Sequence, residues 1–311
     1  MPVGDAALRI GTSGWNYPAG KGTWNGVFYP PSRGRSKTFD ELSFYAEHFN
    51  TVEVNSTFYG QPRRDVCRKW AERTPPGFEF SIKLYQKFTH PKMVELEPAN
   101  VFDLDDFKRG IDPIASAGKL GALLAQFPPS FKSDAASLGY LNWLLDAFTG
   151  YEVAVELRHR SWSDALGETL SLLKAHGAAF VQIDEPKFRL SIAQNQLPNI
   201  PTFYYMRLHG RNAAQWWKHD KAEDRYNYLY SAAELGEFVE TVSATRAIVR
   251  KAYLYTNNHF SAKSVANAAM IKKQLGEPLE GEYSEEFRAR YPDVTAPTAP
   301  HAAGVRSSPR E

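Results

Sequence analysis

The chain has 311 residues, in which 37 lysines and arginines nearly balance 35 aspartates and glutamates, giving a net charge of +2. This balance excludes a protein that coats nucleic acid or a membrane surface through general positive charge. With 43% hydrophobic and 23% charged residues, the composition is typical of a folded globular protein. Cys67 is the single cysteine and no apolar run is long enough to span a membrane, so we expect a cytoplasmic protein without a membrane partner.

Short β-rich runs recur along the chain and predict eight strands. They cover residues 8–15, 51–59, 78–84, 120–127, 151–158, 178–184, 202–210 and 251–259. Helix-like stretches lie between most of them, at residues 39–50, 63–73, 104–117, 135–148, 164–176, 232–249 and 262–275. The link after the sixth strand is the exception, because it has no clear helical pattern.

Strands that alternate with helices pair in parallel, and eight such units predict a TIM (β/α)8 barrel, a single domain of α/β class. An open doubly wound sheet is the alternative. It would require a glycine-rich phosphate loop after the first strand, and residues 11–14 have neither its spacing nor a helix directly after them. We predict a barrel domain over residues 1–285 and a disordered tail over residues 286–311, since the end of the chain is rich in Ala, Pro and Ser.

Five predicted strands alternate apolar and polar residues, so each has one apolar and one polar face. The apolar faces should meet the outer helices, which turns the polar faces inward toward the C-terminal mouth, where barrel enzymes place their chemistry. The predicted polar interior consists of Glu53, Asn55, Lys83, Gln126, Glu156, Arg158, Asp184, Arg207 and His209. Such a set is either a self-satisfied lattice of salt bridges or a binding pocket, and we favour the pocket because purely structural barrel cores are mostly apolar.

Several strand-end motifs resemble the YecE-like proteins, a domain-of-unknown-function family (number seventy-two). These motifs are IGTSGW at 10–15, FNTVEVNSTFY at 49–59, FSIK at 80–83, QFPPSF at 126–131, ELRH at 156–159, SW at 161–162, RLHG at 207–210 and YTNNH at 255–259. They occur in the family's order over roughly residues 8–275. The resemblance implies a TIM-barrel fold and a pocket at the strand ends, and it implies no particular reaction.

The polar set favours an anionic or phosphorylated ligand, held by Lys83, Arg158 and Arg207. Glu156, Asp184 or Glu53 would act as general base, and His209 as acid or hydrogen-bond donor. Further substrate contacts are predicted from Trp15, Asn55, Tyr59, Gln126, Asn257 and Asn258, with other aromatic residues such as Trp216 and Trp217 nearby. We therefore predict an enzyme, with phosphoester hydrolysis as the expected reaction.

Three alternatives stay open. The same cations and rings would suit a non-catalytic protein that binds a nucleotide or single-stranded nucleic acid. Glycoside hydrolysis is weaker, because the expected carboxylate positions hold Gln126 and His209. A metal-dependent hydrolase is also not favoured: His159, His209 and His259 could join carboxylates around a divalent metal, but the neighbouring arginines would repel it. The sequence assigns no other cofactor and no oligomeric state.

Overall fold

The computed structural model describes residues 6–90, 99–194, 197–216 and 220–296, which form nine strands and eleven α-helices. The strands are β1 (Ala7–Thr12), β2 (Thr51–Val54), β3 (Glu79–Lys83), β4 (Leu120–Gln126), β5 (Val153–Glu156), β6 (Ala179–Phe180), β7 (Gln182–Asp184), β8 (Phe203–Leu208) and β9 (Lys251–Thr256). Each predicted strand segment overlaps an observed strand, and the sixth contains two short ones, β6 and β7. The end of the second segment, Ser56–Tyr59, is helical instead of extended.

The helices fill the links between the strands. They are α1 (Glu41–Ala46), α2 (Ser56–Tyr59), α3 (Arg64–Glu72), α4 (Gln86–Thr89), α5 (Val101–Ser116), α6 (Ala135–Ala147), α7 (Ser161–Asp164), α8 (Leu166–Ala175), α9 (Ala232–Thr245), α10 (Lys263–Gln274) and α11 (Glu285–Arg290). The two longest, α5 and α9, each begin with a capping box, Asn100 with Asp103 and Ser231 with Glu234, which satisfies the first backbone N–H groups. None of the described helices combines the length and the apolar composition that crossing a membrane requires.

All the described strand pairs are parallel, and they form two sheets instead of the single closed sheet that the sequence predicts. One sheet has the order β1-β9-β8-β7, and the other β2-β3-β4-β5-β6. The α/β class and the parallel pairing are confirmed, whereas the hydrogen-bond ladders of the described strands do not join the two sheets into one closed barrel. The two sheets are neighbours in the chain at β6 and β7, which only Val181 separates.

Side chains replace ladder hydrogen bonds where the two sheets meet. Between β1 and β2, Asn50 accepts a hydrogen bond from Ile10 N at 3.3 Å and donates to Leu8 O at 3.0 Å. The Tyr45 hydroxyl accepts from Thr12 N at 2.8 Å and donates to the carbonyl of the first β2 residue at 3.0 Å. At β6 and β7, amide oxygens of Asn199 and Gln194 accept from the N–H groups of residues 180 and 183, each at 2.8 Å. These side chains interrupt the ladders because they occupy backbone groups that would otherwise pair with the next strand.

Gly11 permits the close approach of β1 to β2. A Cβ atom at this position would lie 2.2 Å from Thr51 O and 2.8 Å from the Tyr45 hydroxyl, far inside van der Waals contact. The absence of a side chain therefore lets the backbones of the two strands lie within reach of the same tyrosine.

The space between the sheets is polar, as the alternation predicts. Register pairs Tyr205 with Tyr253 and Arg207 with Tyr255, so these four side chains share one face of the β1-β9-β8-β7 sheet. Their hydroxyls bond to the other sheet: Tyr253 donates to a Glu79 carboxylate oxygen at 2.7 Å, and Tyr255 donates to Ser81 Oγ at 2.9 Å. The apolar faces pack outward against the helices, where the buried core continues.

The start of the C-terminal segment is folded, whereas the sequence predicts a disordered tail from residue 286. Helix α11 follows the N-cap Ser284, and Phe287 and Val294 are both buried in the core. Phe287 and Tyr291, four residues apart, lie on one helix face and pack together with ring centroids 5.1 Å apart. Residues 286–296 are thus part of the packed structure, because the aromatic and apolar side chains of this segment are buried against the core. Residues 297–311 lie outside the described residues, and the boundary of the domain stays a prediction.

Candidate functional site

A buried ion cluster around Arg207 forms the floor of the candidate site. Arg207 Nε and Nη2 bond to the two carboxylate oxygens of Glu53 at 2.9 and 2.7 Å, and Nη1 bonds to Glu156 and, at 3.2 Å, to Gln126 Oε1. Tyr205 adds a hydrogen bond to Glu53 at 2.7 Å, a contact that the sequence reasoning missed although Tyr205 lies two residues before Arg207 on the same strand face. Every guanidinium nitrogen of Arg207 is therefore engaged. The geometry favours a structural role for this residue over the predicted binding of a substrate anion.

The charge of Glu156 is strongly stabilised. Burial alone would raise the pKa of this carboxyl, but the guanidinium groups of Arg207 and Arg158 hold the pKa well below its usual range. A carboxylate with such a low pKa is a poor proton acceptor at neutral pH. The predicted role of Glu156 as general base is therefore less well supported than its role as a counter-ion.

Arg158 links this buried cluster to solvent-accessible space. Its Nε donates to Glu156 Oε1 at 2.8 Å, and its Nη1 lies 3.3 Å from Glu185 Oε2. Burial raises the pKa of Glu185 from its usual value, although Arg158 opposes the shift. Sequence reasoning missed Glu185 because it chose the preceding residue, Asp184, from the alternation of the strand.

Asp184 does not join the cluster, which corrects its predicted place in the interior. The register of β7 pairs Asp184 with Leu208, and a residue paired in this way points to the side opposite Arg207. There Asp184 accepts hydrogen bonds from Arg211 at 2.8 and 3.1 Å and from the Tyr230 hydroxyl at 2.7 Å. The physical reason is the phase of the alternation. Ala179 pairs with Ala154 and Ile183 pairs with Arg207, so the apolar residues of this segment face the interior. Asp184, one residue further, therefore faces outward.

His209 is a buried, neutral imidazole. Its Nδ1 lies 2.9 Å from Asn257 Nδ2. Its Nε2 lies 3.4 Å from a guanidinium nitrogen of Arg158 and of Arg207, and 3.6 Å from Glu156 Oε1. Burial, reinforced by the positive charge of Arg207, lowers the pKa of His209 to about 3. At neutral pH this ring can donate a hydrogen bond, the second of its two predicted roles, but it carries no extra proton to transfer.

Lys83 differs from the other cations of the cluster. Its Nζ lies 4.0 Å from the centroid of the Phe58 ring, and the described residues offer it neither a hydrogen bond nor a carboxylate within ion-pair distance. Burial and the positive charges of Arg207 and Arg158 lower its pKa to about 7. Asn55 follows the neighbouring strand at the same level, and its Oδ1 is buried with no hydrogen-bond partner among the described residues.

The other predicted residues are placed apart from this centre. Asn258 has a structural role, because its Nδ2 donates to Asn267 Oδ1 and to a backbone carbonyl, each at 2.7 Å. Trp15 packs edge-on against Trp70 with centroids 5.4 Å apart, and Tyr59 is 76% exposed at the end of α2. The predicted residues that the structure brings together are Glu53, Asn55, Lys83, Gln126, Glu156, Arg158, Arg207, His209 and Asn257.

A cavity of about 360 Å³ opens beside this cluster. Arg158 and Glu185 line it together with Arg189 and Trp216, so it combines positive charge with an aromatic face. Its volume is within the range of small-molecule sites. Trp217, which the sequence analysis grouped with Trp216, lies outside the described residues. Over the described ranges, no group of three or more His, Cys, Asp and Glu side chains is arranged to hold a metal ion.

The sequence model of the family described as "Protein of unknown function DUF72" matches residues 9–290 of this chain. The chain belongs to the DUF72 family. Among its relatives, UPF0759 protein YunF of Bacillus subtilis is 31% identical over 290 residues, which is 89% of this chain and 96% of YunF. UPF0759 protein YecE of Escherichia coli K12 is 32% identical over 120 residues, which is 38% of this chain and 41% of YecE.

Solved structures agree with this assignment. A DUF72 family protein of Thermotoga maritima is 34% identical, with a TM-score of 0.75 over 87% of this chain and all of the other. A DUF72 family protein of Enterococcus faecalis is 23% identical, with a TM-score of 0.76 over 89% of this chain and all of the other, and supports the fold alone. The family resemblance seen in the motifs is thus confirmed. DUF72 membership leaves the reaction to be inferred from the site.

We predict that this DUF72 protein loses stability in mild acid, because burial keeps several of its histidines neutral. His209 has a folded-state pKa of about 3, below the value of about 6.5 expected when unfolded, so its contribution is complete above pH 6.5 and is lost as the pH falls toward 3. Between pH 6.5 and pH 5 this single group should lower the free energy of unfolding by about 2 kcal/mol. Burial also lowers the pKa of His90 and of His259 to about 4, and both add to the loss.

Urea unfolding at pH 6.5 and pH 5 measures this effect. The His209→Gln variant should show a smaller difference between the two pH values than the unsubstituted chain, because one of the histidines with a lowered pKa is gone. Equal differences in the two proteins would contradict the assignment of a neutral, buried His209.

Proposed function

We propose that this DUF72 protein is an enzyme that binds a small phosphorylated or otherwise anionic substrate at the C-terminal ends of its strands. The observation that carries the proposal is the unequal pairing of the cations there. Arg207 is fully engaged by hydrogen-bond acceptors, whereas Lys83 has no anionic partner among the described residues. Arg158 is paired with Glu156 and also reaches the cavity wall through a 3.3 Å contact with Glu185. A partly buried cation that lacks a counter-ion is stabilised by an incoming anion.

We further propose that the two sheets close into one eight-stranded barrel, as the sequence predicts. The side-chain bridges made by Asn50 and Tyr45 at one junction, and by Gln194 and Asn199 at the other, hold the sheet edges side by side. A parallel bridge between Ser13 and Glu53 at the first junction supports the same closure. Such a barrel would place Lys83 and Arg158 at the mouth where barrel enzymes bind their substrates. The single cysteine remains our reason for proposing a cytoplasmic location.

Phosphoester hydrolysis, the reaction expected from the sequence, fits this geometry less well than anion binding itself. Hydrolysis requires a base that takes a proton from water. Glu156 is held ionised by two arginines, Asp184 lies on the opposite face, and Glu53 is bound by Arg207 through both oxygens. Glu185, with its raised pKa and its place on the cavity wall, is the carboxylate best suited to exchange a proton with a ligand.

Thermal unfolding in the presence of glycerol 1-phosphate tests the anion site. At a concentration of 100 times the dissociation constant, a ligand adds about 2.7 kcal/mol of stability, which for a chain of this size is a rise in Tm of about 4 °C. We expect this rise for the unsubstituted chain and its near absence in Arg158→Met. Arg158→Lys keeps the positive charge but cannot form bidentate hydrogen bonds to a phosphate. This variant should bind glycerol 1-phosphate more weakly while remaining folded.

Arg160→Met is the matched control for these variants. Arg160 lies two residues away, its side chain is 58% exposed, and its ion pair with Asp164 is on the surface. This variant should keep the full Tm rise. A rise of equal size in Arg158→Met, or no rise in any of the proteins, would exclude an anion site at Arg158.

The aromatic wall of the cavity favours one competing function, a non-catalytic protein that binds a nucleotide or single-stranded nucleic acid. Trp216 and Phe188 line the cavity with Arg158 and Arg189, and flat rings beside arginines are suited to stacking on bases. Affinity for a short oligonucleotide that falls steeply with salt, together with no turnover, would favour this function.

A further inference from the structure

Two lysines of the described chain are buried, and both are supplied with hydrogen-bond acceptors. Lys119 Nζ donates to two backbone carbonyls at 2.6 Å and to Thr74 Oγ1 at 3.0 Å. Lys272 Nζ donates to His48 O at 3.1 Å and lies 3.9 Å from a Glu280 carboxylate oxygen. Both lysines serve to join structural elements. Lys83 follows a different pattern, because the described residues give its ammonium group only the face of the Phe58 ring.

The surroundings of Lys83 disfavour its protonated form. Two guanidinium groups, those of Arg207 and Arg158, add positive potential, and the nearby carboxylates of Glu53 and Glu156 are already bound to these arginines. The result is an amine with a pKa of about 7, of which a large part is neutral at physiological pH. A neutral lysine amine is a nucleophile toward carbonyl groups, whereas an ordinary ammonium is not.

A second unpaired group follows the neighbouring strand at the level of Lys83. Asn55 Oδ1 is buried and accepts no hydrogen bond from any described residue, although the strand that precedes Asn55 pairs in register with the strand that carries Lys83. A buried acceptor without a donor is costly unless a ligand supplies one. A hydroxyl group on a bound molecule next to Lys83 would satisfy it.

We infer that Lys83 is a catalytic nucleophile that forms an imine with a ketone or aldehyde carbonyl of the anionic substrate. This inference rests on the proposed function, since Arg158 would hold the anionic group while Lys83 reacts. The nitrogen lone pair of Lys83 forms a bond to the carbonyl carbon, and the C=O electron pair moves to oxygen, giving a carbinolamine whose hydroxyl donates to Asn55 Oδ1. The C–O bond then breaks, the oxygen leaves as water with both hydrogens of the amine, and a C=N bond remains.

Reductive trapping tests the imine directly. The full chain is incubated at pH 7 with dihydroxyacetone phosphate, a ketone that carries a phosphate, and with sodium cyanoborohydride, and the modified peptides are mapped by mass spectrometry. We expect an adduct on Lys83 that forms at least ~10 times faster than on the exposed Lys174, because an amine with a pKa of about 7 is neutral in a large fraction of molecules at this pH. The rate should rise through pH 7 and level off above it.

Variants and a competitor identify the origin of the adduct. Lys83→Arg keeps the positive charge but forms no imine, so the fast adduct should disappear, whereas Lys174→Arg should leave it unchanged. Excess glycerol 1-phosphate, which has the anion but no carbonyl, should slow the reaction at Lys83. Peptide mapping of the unsubstituted chain detects the adduct on Lys83 directly, so the result does not depend on whether a variant folds.

The outcomes separate this inference from the proposed function. Labelling of Lys83 and Lys174 at similar rates would overturn the inference. If glycerol 1-phosphate raises the Tm but dihydroxyacetone phosphate gives no adduct on Lys83, the anion site stands and the imine is excluded. If dihydroxyacetone without phosphate labels Lys83 equally fast and glycerol 1-phosphate has no effect on rate or Tm, the anionic substrate, and with it the proposed function, is overturned.

Discussion

Replacing Arg207 with methionine is expected to lower the free energy of unfolding by about 3–5 kcal/mol. The guanidinium group is the shared partner of Glu53 and Glu156, and all three side chains are at most 1% exposed. Without Arg207, two carboxylates remain in the interior; Glu53 retains hydrogen bonds from Ser13 and Tyr205, and Glu156 retains Arg158. The loss arises mainly from uncompensated buried charge, since methionine fills much of the same volume.

Two comparisons separate charge from packing. The triple variant Glu53→Gln, Glu156→Gln, Arg207→Met removes all three charges and should recover most of the lost stability, measured by urea unfolding. Arg160→Met removes an exposed ion pair and should cost less than about 1 kcal/mol. A single Arg207→Met variant as stable as Arg160→Met would show that the cluster does not carry the charges assigned to it.

Gly110→Ala is expected to destabilise the protein by about 3 kcal/mol through a backbone clash. Gly110 lies in α5 where this helix crosses the start of α3, and a Cβ atom there would be 2.1 Å from the carbonyl oxygen of Pro62. The obstacle is backbone instead of a flexible side chain, so the two helices must separate to admit the methyl group. This cost exceeds the gain of up to about 1 kcal/mol that alanine normally brings to a helix.

Gly139→Ala is the matched control for the same chemical change. Gly139 lies in α6, and no described atom lies within 4 Å of the position that an added methyl group would take. Here the higher helix propensity of alanine should act alone and raise stability by about 0.5–1 kcal/mol. Chemical denaturation of the two variants should therefore give shifts of opposite sign. Shifts of the same sign would contradict the close packing of α3 against α5.

The interior cluster could be predicted from alternation because a strand has a strict period of two. Once Val52 and Val54 face the helices, Glu53 must face the other way, and the same reasoning places Glu156 and Arg207 inside. The prediction did not distinguish a salt-bridge lattice from a pocket, and the structure contains both: Arg207 is saturated by carboxylates, and Arg158 borders a cavity.

The same reasoning was wrong for Asp184 because it assumed that the apolar residues of this strand face outward. The register pairs Ile183 with Arg207 and Asp184 with Leu208, so the apolar side faces the interior and Asp184 faces outward. Which face of a strand points inward depends on its neighbours in the sheet, and the local alternation does not contain that information. The prediction of a disordered tail was wrong for residues 286–296. The packing of Phe287 depends on aromatic partners such as Phe28, which are distant in sequence and which the local composition does not reveal.

The sequence by itself determined the strands and helices, the inward direction of most polar residues and the DUF72 family, because each depends on local periodicity or on contiguous motifs. Only the tertiary structure decided which charges neutralise one another. That Arg207 is saturated while Lys83 is left without a carboxylate among the described residues follows from distances between side chains on different strands. Electrostatic energies change steeply with such distances and with burial, and neither quantity is contained in the order of residues along the chain.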